Sequence, residues 1–250
     1  MALLSTAIEA LGRTVFPPVC VACGRPPYEG GHLCCDCGAD LDLLRAAPAC
    51  PRCGSSSGPH ISTEGYCGRC RTSRFSFDAT ARVAPYVDPM MQVLRRYKYR
   101  GSEYLDFYLA DLMIRSLEQT MWHNDIEAVV PVPSHWMRRV TEGFHPVMAL
   151  AAQIGRRLNV PCLSMMRRVR FERHQVGLSL SDRIRNVQGA FALRSGVDVQ
   201  DARVCVIDDV MTSGATLNEV AKVLKQAGAR SVYNLVLTRA AQHEATLGVA

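Results

Sequence analysis

Two adjacent carboxylates, Asp208 and Asp209, stand just ahead of a hydroxyl-rich, glycine-containing turn, Thr212-Ser213-Gly214-Ala215-Thr216. Paired acids can accept hydrogen bonds from a vicinal diol or hold a cation. The turn offers three hydroxyls and closely spaced backbone N–H groups, and Gly214 lets the backbone approach a ligand. Val204 to Ile207, just before the acids, are apolar without polar alternation, as in a strand buried on both faces of a parallel sheet. The acids are therefore expected at that strand's carboxyl end, where open α/β sheets bind ligands. After the turn, Leu217, Val220, Ala221 and Leu224 recur at helical spacing. Gly228 suits the helix stop, and Ser231 to Leu237 reads as the next strand of a βαβ unit. A turn at a helix N-terminus favours a phosphate, because orphan N–H groups and the dipole converge there. Acids, turn and helix in this order suit a ribose 5-phosphate. A simpler reading, acids that merely cap the helix, needs only one short polar residue. A Walker B strand lacks its partner, since the chain has no GxxxxGK[ST].

Cysteines make the second constellation. Eleven are present, and eight fall in C-x2-C pairs: Cys20/Cys23, Cys34/Cys37, Cys50/Cys53 and Cys67/Cys70. A C-x2-C turn directs two thiolates at one tetrahedral metal, and two turns complete a site. Disulfides would need an oxidising compartment, and no secretory signal precedes them. A redox reading of Cys67-Gly68-Arg69-Cys70 is weakened by four copies without a preceding βα pattern. Two structural Zn2+ ions are expected. Sequential pairing gives Cys20, Cys23, Cys34 and Cys37 for one, and Cys50, Cys53, Cys67 and Cys70 for the other; crossed pairing stays open. Cys35 is a spare, and Cys162 and Cys205 read as buried packing residues.

These residues need a scaffold. The chain has 250 residues, room for a small and a medium domain. Residues 1–77 are read as an N-terminal helix and a cysteine-rich domain whose folding energy comes largely from metal, about 10–16 kcal/mol per structural zinc. Residues 78–240 can bury a core of their own, and 241–250 form a tail. Leu3, Leu4, Ala7, Ile8, Leu11 and Val15 share a helical face; a helix packed on the rest of the protein is expected, with a partner or membrane surface as the alternative. No run of apolar residues is long enough to span a bilayer, and a cytoplasmic location is expected.

The later chain alternates. Strands are predicted at Thr80–Pro85, Ile126–Val132, Pro161–Met166 and Ala190–Leu193, and helices at Met90–Tyr99, Tyr104–Met121 and Pro146–Leu158. Such alternation points to α/β architecture, a mainly parallel, doubly wound sheet. Val132-Pro133-Ser134 should then open onto the same edge as Asp208. Residues 167–191 have no steady period and many arginines, including Arg168, Arg170, Arg173 and Arg183. They read as a lid able to grip a polyanion, against a plain solvated basic loop.

VCVIDDVMTSGAT resembles the phosphoribosyl pyrophosphate (PRPP) loop of class I phosphoribosyltransferases. The resemblance implies that Asp208 and Asp209 bind the ribose hydroxyls, that Thr212 to Thr216 bind the 5-phosphate, and that Val132, Pro133 and Ser134 cradle pyrophosphate. The cysteine pairs, the YKYRG stretch at Tyr97 to Gly101, the VPVP turn, the DDVMTSGAT loop and an R-x4-R-x-Q-x2-L-x4-R-x2-N-V-x-G-A-F pattern together resemble the ComF family. That family joins a double zinc ribbon to a phosphoribosyltransferase-like domain and is associated with natural competence. It implies PRPP with Mg2+ as ligand and Arg168, Arg173, Gln175 and Arg183 as binding residues. Single-stranded DNA and a competence helicase are implied partners. The chain departs from the family's usual Arg-Gly-Phe-Asn-Gln at Glu142-Gly143-Phe144-His145-Pro146, and its lid reads Arg173-His174-Gln175. Purine-salvage relatives place an acid where this chain has Thr212, a poor general base, so a purine acceptor is not expected.

Two functions follow. One is PRPP binding with transfer of phosphoribosyl to an acceptor and release of pyrophosphate. The other is a non-catalytic DNA-handling or docking protein. For the latter, the net charge of +6 is modest, but Arg95, Arg96, Lys98 and Arg100, interleaved with Tyr97 and Tyr99, form a candidate patch for stacking a single strand.

Overall fold

A computed structural model describes residues 18–28, 30–56, 65–72, 74–98, 102–133, 145–170, 185 and 187–240. In chain order these form helices α1 (Cys35–Ala46) and α2 (Gly68–Thr72), strand β1 (Ala79–Pro85), helices α3 (Met90–Tyr97) and α4 (Asp106–Leu117), strand β2 (Ala128–Pro131), helix α5 (Pro146–Leu158), strands β3 (Met166–Arg168), β4 (Phe191–Leu193) and β5 (Arg203–Met211), helix α6 (Ala215–Gln226) and strand β6 (Ser231–Arg239). The expected amphipathic helix before residue 17, and the C-terminal tail, lie outside the described residues.

The central sheet is parallel throughout, in the order β1-β6-β5-β2. Central strand β5 shows why its apolar residues do not alternate with polar ones. Val204, Cys205, Val206 and Ile207 are all fully buried. Successive side chains point to opposite faces, so Cys205 and Ile207 enter a core with α3, α4 and α5, while Val204 and Val206 enter another with α6. Burial of each large aliphatic side chain contributes about 1.5–3 kcal/mol.

Both cysteine-rich segments join these cores. Cys20, Cys34 and Cys37 share the first; Cys50, Cys53 and Cys70 share the second. Between them runs β1, an edge strand. Its Ala81 and Val83 face the first core, while Thr80 and Arg82 contact Gly54 in the other segment. The Thr80 N–H donates to the Pro51 carbonyl at 2.9 Å and its hydroxyl to the Arg52 carbonyl at 2.8 Å. The cysteine-rich chain thus covers an edge that would otherwise offer unpaired backbone groups.

Helix α5 has the predicted bounds, with Pro146 in its first turn and Asn159 closing it in the left-handed conformation (φ 54°). Three expectations need correction. The helix expected to reach Met121 ends at Leu117, where Thr120 turns back to donate its hydroxyl to the Leu117 carbonyl at 2.7 Å, and Met121 is wholly exposed. The strand expected at 161–166 shrinks to a single bridge between Cys162 and Val129. Pro161 has no N–H to donate, and the Met165 N–H folds back to Leu163 at 2.8 Å. Cys162 is consequently only half-buried, unlike Cys205. The helix expected to reach Tyr99 ends at Tyr97, where Lys98 caps it. Strand β5 carries the two acids in its carboxyl-terminal half, as expected, with Asp208 in register with Val236.

No helix among the described residues is long and apolar enough to cross a membrane.

Candidate functional site

Strand β5 delivers Asp208 and Asp209 to the carboxyl edge of the sheet, and β2 brings its own end beside them. The Val132 N–H donates to the Ile207 carbonyl at 2.9 Å. Val132 and Pro133 are buried there; the Val132 N–H is engaged and Pro133 has none, so neither keeps a free backbone donor. Asp208 accepts a hydrogen bond from the Asp209 N–H at 2.9 Å. Burial, reinforced by the neighbouring Asp209 charge, pushes its carboxyl up to about 8. Asp209 instead meets a cation: Lys98 Nζ lies 2.9 Å from its Oδ2. Lys98 caps the C-terminus of α3, the end at which a cation is favoured.

In the turn that follows, three successive carbonyls are held from behind by arginines. Arg239 Nη1 donates to Met211 at 3.1 Å and to Thr212, and Arg69 Nη2 donates to Ser213 at 3.0 Å. A trans peptide is planar with C=O and N–H opposed, so the N–H groups of Thr212, Ser213 and Gly214 point away from the arginines. None of them has an acceptor among the described residues. Gly214 adopts φ +78°, which glycine does without strain, and helix α6 starts at the next residue. Free N–H groups at a helix N-terminus form a phosphate site. The Ser213 hydroxyl is turned inward and accepts from the Ala215 N–H at 3.3 Å; among the described residues no hydrogen bond engages the hydroxyl of Thr212 or Thr216.

Of the lid arginines, Arg168 and Arg170 are described; Arg170 Nη1 donates to the Gln188 carbonyl at 3.4 Å. Arg168 ends β3, which pairs antiparallel with β4 through Arg168 and Phe191. Its guanidinium lies over the Phe191 ring at 5.2 Å, and its charge acts on Asp208. The two strands join the ends of the intervening segment. Ser134, Arg173, Gln175 and Arg183 lie outside the described residues.

The cysteines group in sequential fashion. The sulfurs of Cys20, Cys23, Cys34 and Cys37 lie within 4.8 Å of one another, as do those of Cys50, Cys53, Cys67 and Cys70. Cys23 and Cys34, and likewise Cys53 and Cys67, approach to 3.6 Å. Zinc–sulfur bonds of about 2.3 Å in a tetrahedron place sulfurs roughly 3.8 Å apart, so both groups fit the ion. Arg25 donates to Cys23 at 3.4 Å and lowers its thiol to about 6, while the Cys50 thiol lowers Cys53 to about 4. Thiolates are the form that ligates. Cys35 is exposed, outside both groups.

Comparison with known proteins accords with this geometry. The double zinc ribbon domain model matches residues 11–71, and the phosphoribosyl transferase domain model matches residues 141–246. Competence protein F of Haemophilus influenzae is 30% identical over 227 residues, covering 88% of this chain and 96% of its own. The chain belongs to the ComF family. Other relatives are the DNA utilization protein YhgH of Escherichia coli, 28% identical over 89% of this chain and 97% of its own, and competence protein ComFC of Streptococcus pneumoniae, 27% identical over 83% and 87%. Among solved structures, the allosteric regulatory enzyme of purine biosynthesis superposes on 57% of this chain and 30% of its own, at 18% identity and a TM-score of 0.38. The double ribbon of this ComF protein carries the two four-cysteine groups, which suggest two structural zinc ions.

Sequence reasoning missed Arg239 and misplaced Lys98 and Tyr97. Arg239 is 1% exposed at the end of β6; nothing in its local sequence sets it apart from a strand-end arginine. Lys98 had been read as part of a nucleic-acid patch, and its partner is Asp209. Tyr97 had been read there too, but it is fully buried, and its hydroxyl donates to Asp106 at 2.6 Å and to the Pro146 carbonyl at 3.1 Å. A buried ring cannot stack on a base, so Tyr97 cannot serve the patch as the sequence suggested; Tyr99 and Arg100 lie outside the described residues. Arg96 is exposed and donates to the Cys20 carbonyl at 3.4 Å.

Proposed function

We propose that this ComF-family protein binds PRPP with Mg2+ at the carboxyl edge of its sheet. The observation that carries the reading is the turn itself: three consecutive N–H groups without an acceptor among the described residues, on peptides whose carbonyls two arginines hold, close after a pair of acids and at the head of α6. The 5-phosphate would lie on Thr212 to Thr216 and the ribose diol on Asp208 and Asp209. The acids suit a diol better than a bare cation. Burial and the neighbouring Asp209 raise the Asp208 carboxyl, and Asp209 is already paired, whereas Mg2+ favours substrate phosphates with few protein carboxylates. Mg2+ would supply charge neutralisation on the departing pyrophosphate.

In transfer, the bond from ribose C1 to pyrophosphate oxygen breaks, the leaving group keeps the electron pair, and the acceptor's nucleophile bonds to C1. The protein needs no nucleophile. It holds the ribose rigidly and places positive groups near the leaving charge. Arg168 and Lys98 are the described cations nearest the acids; Arg173, Gln175, Arg183 and Ser134 would complete that shell. A cytoplasmic location belongs to the same proposal.

Calorimetric titration of PRPP with Mg2+ into zinc-loaded protein tests the reading. Binding should occur and should vanish in the Asp208→Ala/Asp209→Ala double variant. Equal binding by both proteins would remove the acids from the site.

A second reading, single-stranded DNA handling with a competence helicase as partner, draws on the relatives' names and on a different surface. Phe107 is 64% exposed with the Arg157 guanidinium 4.2 Å from its ring, and Tyr104 nearby in sequence is 55% exposed. Aromatic and arginine groups together hold single strands. A steep fall of affinity with salt, weakened in Phe107→Ala, would support it; affinity unchanged in Phe107→Ala would not.

A further inference from the structure

The second four-cysteine group and the phosphate turn are far apart in sequence and adjacent in space. Arg239 joins them. Its Nε donates to the Cys53 carbonyl at 3.0 Å, while its Nη1 holds the Met211 and Thr212 carbonyls. Arg69 joins them again. It lies inside the Cys67–Cys70 knuckle and donates to the Ser213 carbonyl at 3.0 Å. A third link runs through Phe75. Arg52, inside the Cys50–Cys53 knuckle, donates to the Phe75 carbonyl at 3.0 Å, and a Cβ placed on Gly214 would lie 3.7 Å from the Phe75 ring.

Charge explains why arginines occupy this space. Arg82 and Arg239 are buried, and no carboxylate pairs with either among the described residues. Buried guanidiniums without counter-charge are costly. Four thiolates around a divalent metal carry a net double negative charge. That charge lies next to Arg239 through Cys53 and is flanked by Arg52 and Arg69. Without the metal, the counter-charge and the fixed position of the Cys53 carbonyl are lost together.

We propose that Arg239 and Arg69 are positioning residues that make metal occupancy of the Cys50–Cys53–Cys67–Cys70 site a condition for the phosphate turn to hold its N–H groups in place. For ligand affinity this rests on the PRPP reading above; for the order of the turn it does not. The metal touches no substrate. It fixes one side of a clamp whose other side sets three peptide planes. Among the described residues the Cys20–Cys23–Cys34–Cys37 site has no such link to the turn, and its segment packs in the opposite core.

The test uses the full chain and four readouts: zinc content, PRPP–Mg2+ affinity, amide hydrogen exchange at residues 212–217, and exchange at the buried strand 204–207. In Cys67→Ser, affinity should fall by about tenfold or more, the equivalent of one charged hydrogen bond. Exchange should rise at 212–217 and stay slow at 204–207. Arg239→Lys keeps the charge but loses the fork; it should retain both metals and show the same fall. The loss in Cys23→Ser should be at least about fivefold smaller than in Cys67→Ser. If Cys67→Ser does not fold, Arg69→Ala, which leaves every cysteine in place, carries the test with the same expected rise in exchange. Wild-type affinity and exchange in Arg239→Lys, or equal losses in Cys67→Ser and Cys23→Ser, would overturn the proposal. Failure of the wild-type protein to bind PRPP would defeat the ligand reading alone, and the exchange data would still decide whether the clamp orders the turn.

Discussion

Replacing Gly214 by alanine puts the phosphate turn under a calculable strain. Gly214 has φ +78°, and an added Cβ would lie 2.5 Å from Met211 Cε and 3.7 Å from the Phe75 ring. Holding alanine in the left-handed region costs about 1–2 kcal/mol. The Met211 methyl is the far end of a flexible side chain, so the collision should cost about 1 kcal/mol, the low end for overpacking. Together they come to about 2–3 kcal/mol, a large share of the roughly 5–15 kcal/mol that stabilises a typical domain. Relief would come from tilting the peptide planes at 213–215, which carry the phosphate donors. Gly228→Ala is a matched control at the other end of α6. It has φ +98°, and its Cβ would lie 2.2 Å from Gln200 Oε1. Urea denaturation should show both variants destabilised by amounts within about 1 kcal/mol of each other. Calorimetry should show PRPP affinity reduced about tenfold or more in Gly214→Ala alone. Equal affinity in the two variants would refute the claim that the backbone at 213–215 binds the phosphate.

Three further outcomes are expected. Asp208 has a carboxyl pKa raised from 3.8 to about 8 by burial, so the folded state binds a proton that the unfolded state releases, and its contribution to stability falls as pH rises from about 4 to beyond 8. Relative to their difference below pH ~4, Asp208→Asn should gain steadily on the wild type in urea midpoints up to pH ~8; a difference independent of pH would contradict the assignment. Tyr97→Phe removes a buried hydrogen bond to Asp106 and should cost about 1–3 kcal/mol while leaving single-stranded DNA binding unchanged; a loss of DNA binding with intact stability would reinstate the tyrosine as a stacking group. Zinc chelation should expose residues 18–72 to protease and also lower the melting temperature of the remainder by about 5 °C or more, because the ribbon caps β1 and holds Arg239; an unchanged melting temperature would show that the α/β part stands alone.

What the sequence made legible was whatever a short period or spacing encodes. The helix at Pro146–Leu158 announced itself through its proline start and apolar period, and the buried β5 through four apolar residues in a row. The two cysteine groups followed from C-x2-C spacing, although the sequence left their pairing open. The order of acids, turn and helix pointed to the candidate site. The features that hold the site in shape were not legible, because their partners lie far along the chain. Cys53 and Arg239 are 186 residues apart, and no periodicity links them. Lys98 and Tyr97 are neighbours in a basic, aromatic stretch that looks like a surface; the turn at the end of α3 sends one side chain to Asp209 and the other into the core. At Pro161–Met166 the apolar content was right for a strand, but the proline's missing N–H left one bridge.

The central claim, that the turn after the paired acids binds a ribose 5-phosphate, is tested most directly by phosphorus NMR of PRPP with Mg2+ titrated with zinc-loaded protein. The 5-phosphate resonance should shift or broaden, and Asp208→Asn/Asp209→Asn together with Gly214→Ala should abolish the change. An unperturbed 5-phosphate resonance in the presence of folded wild-type protein would contradict it.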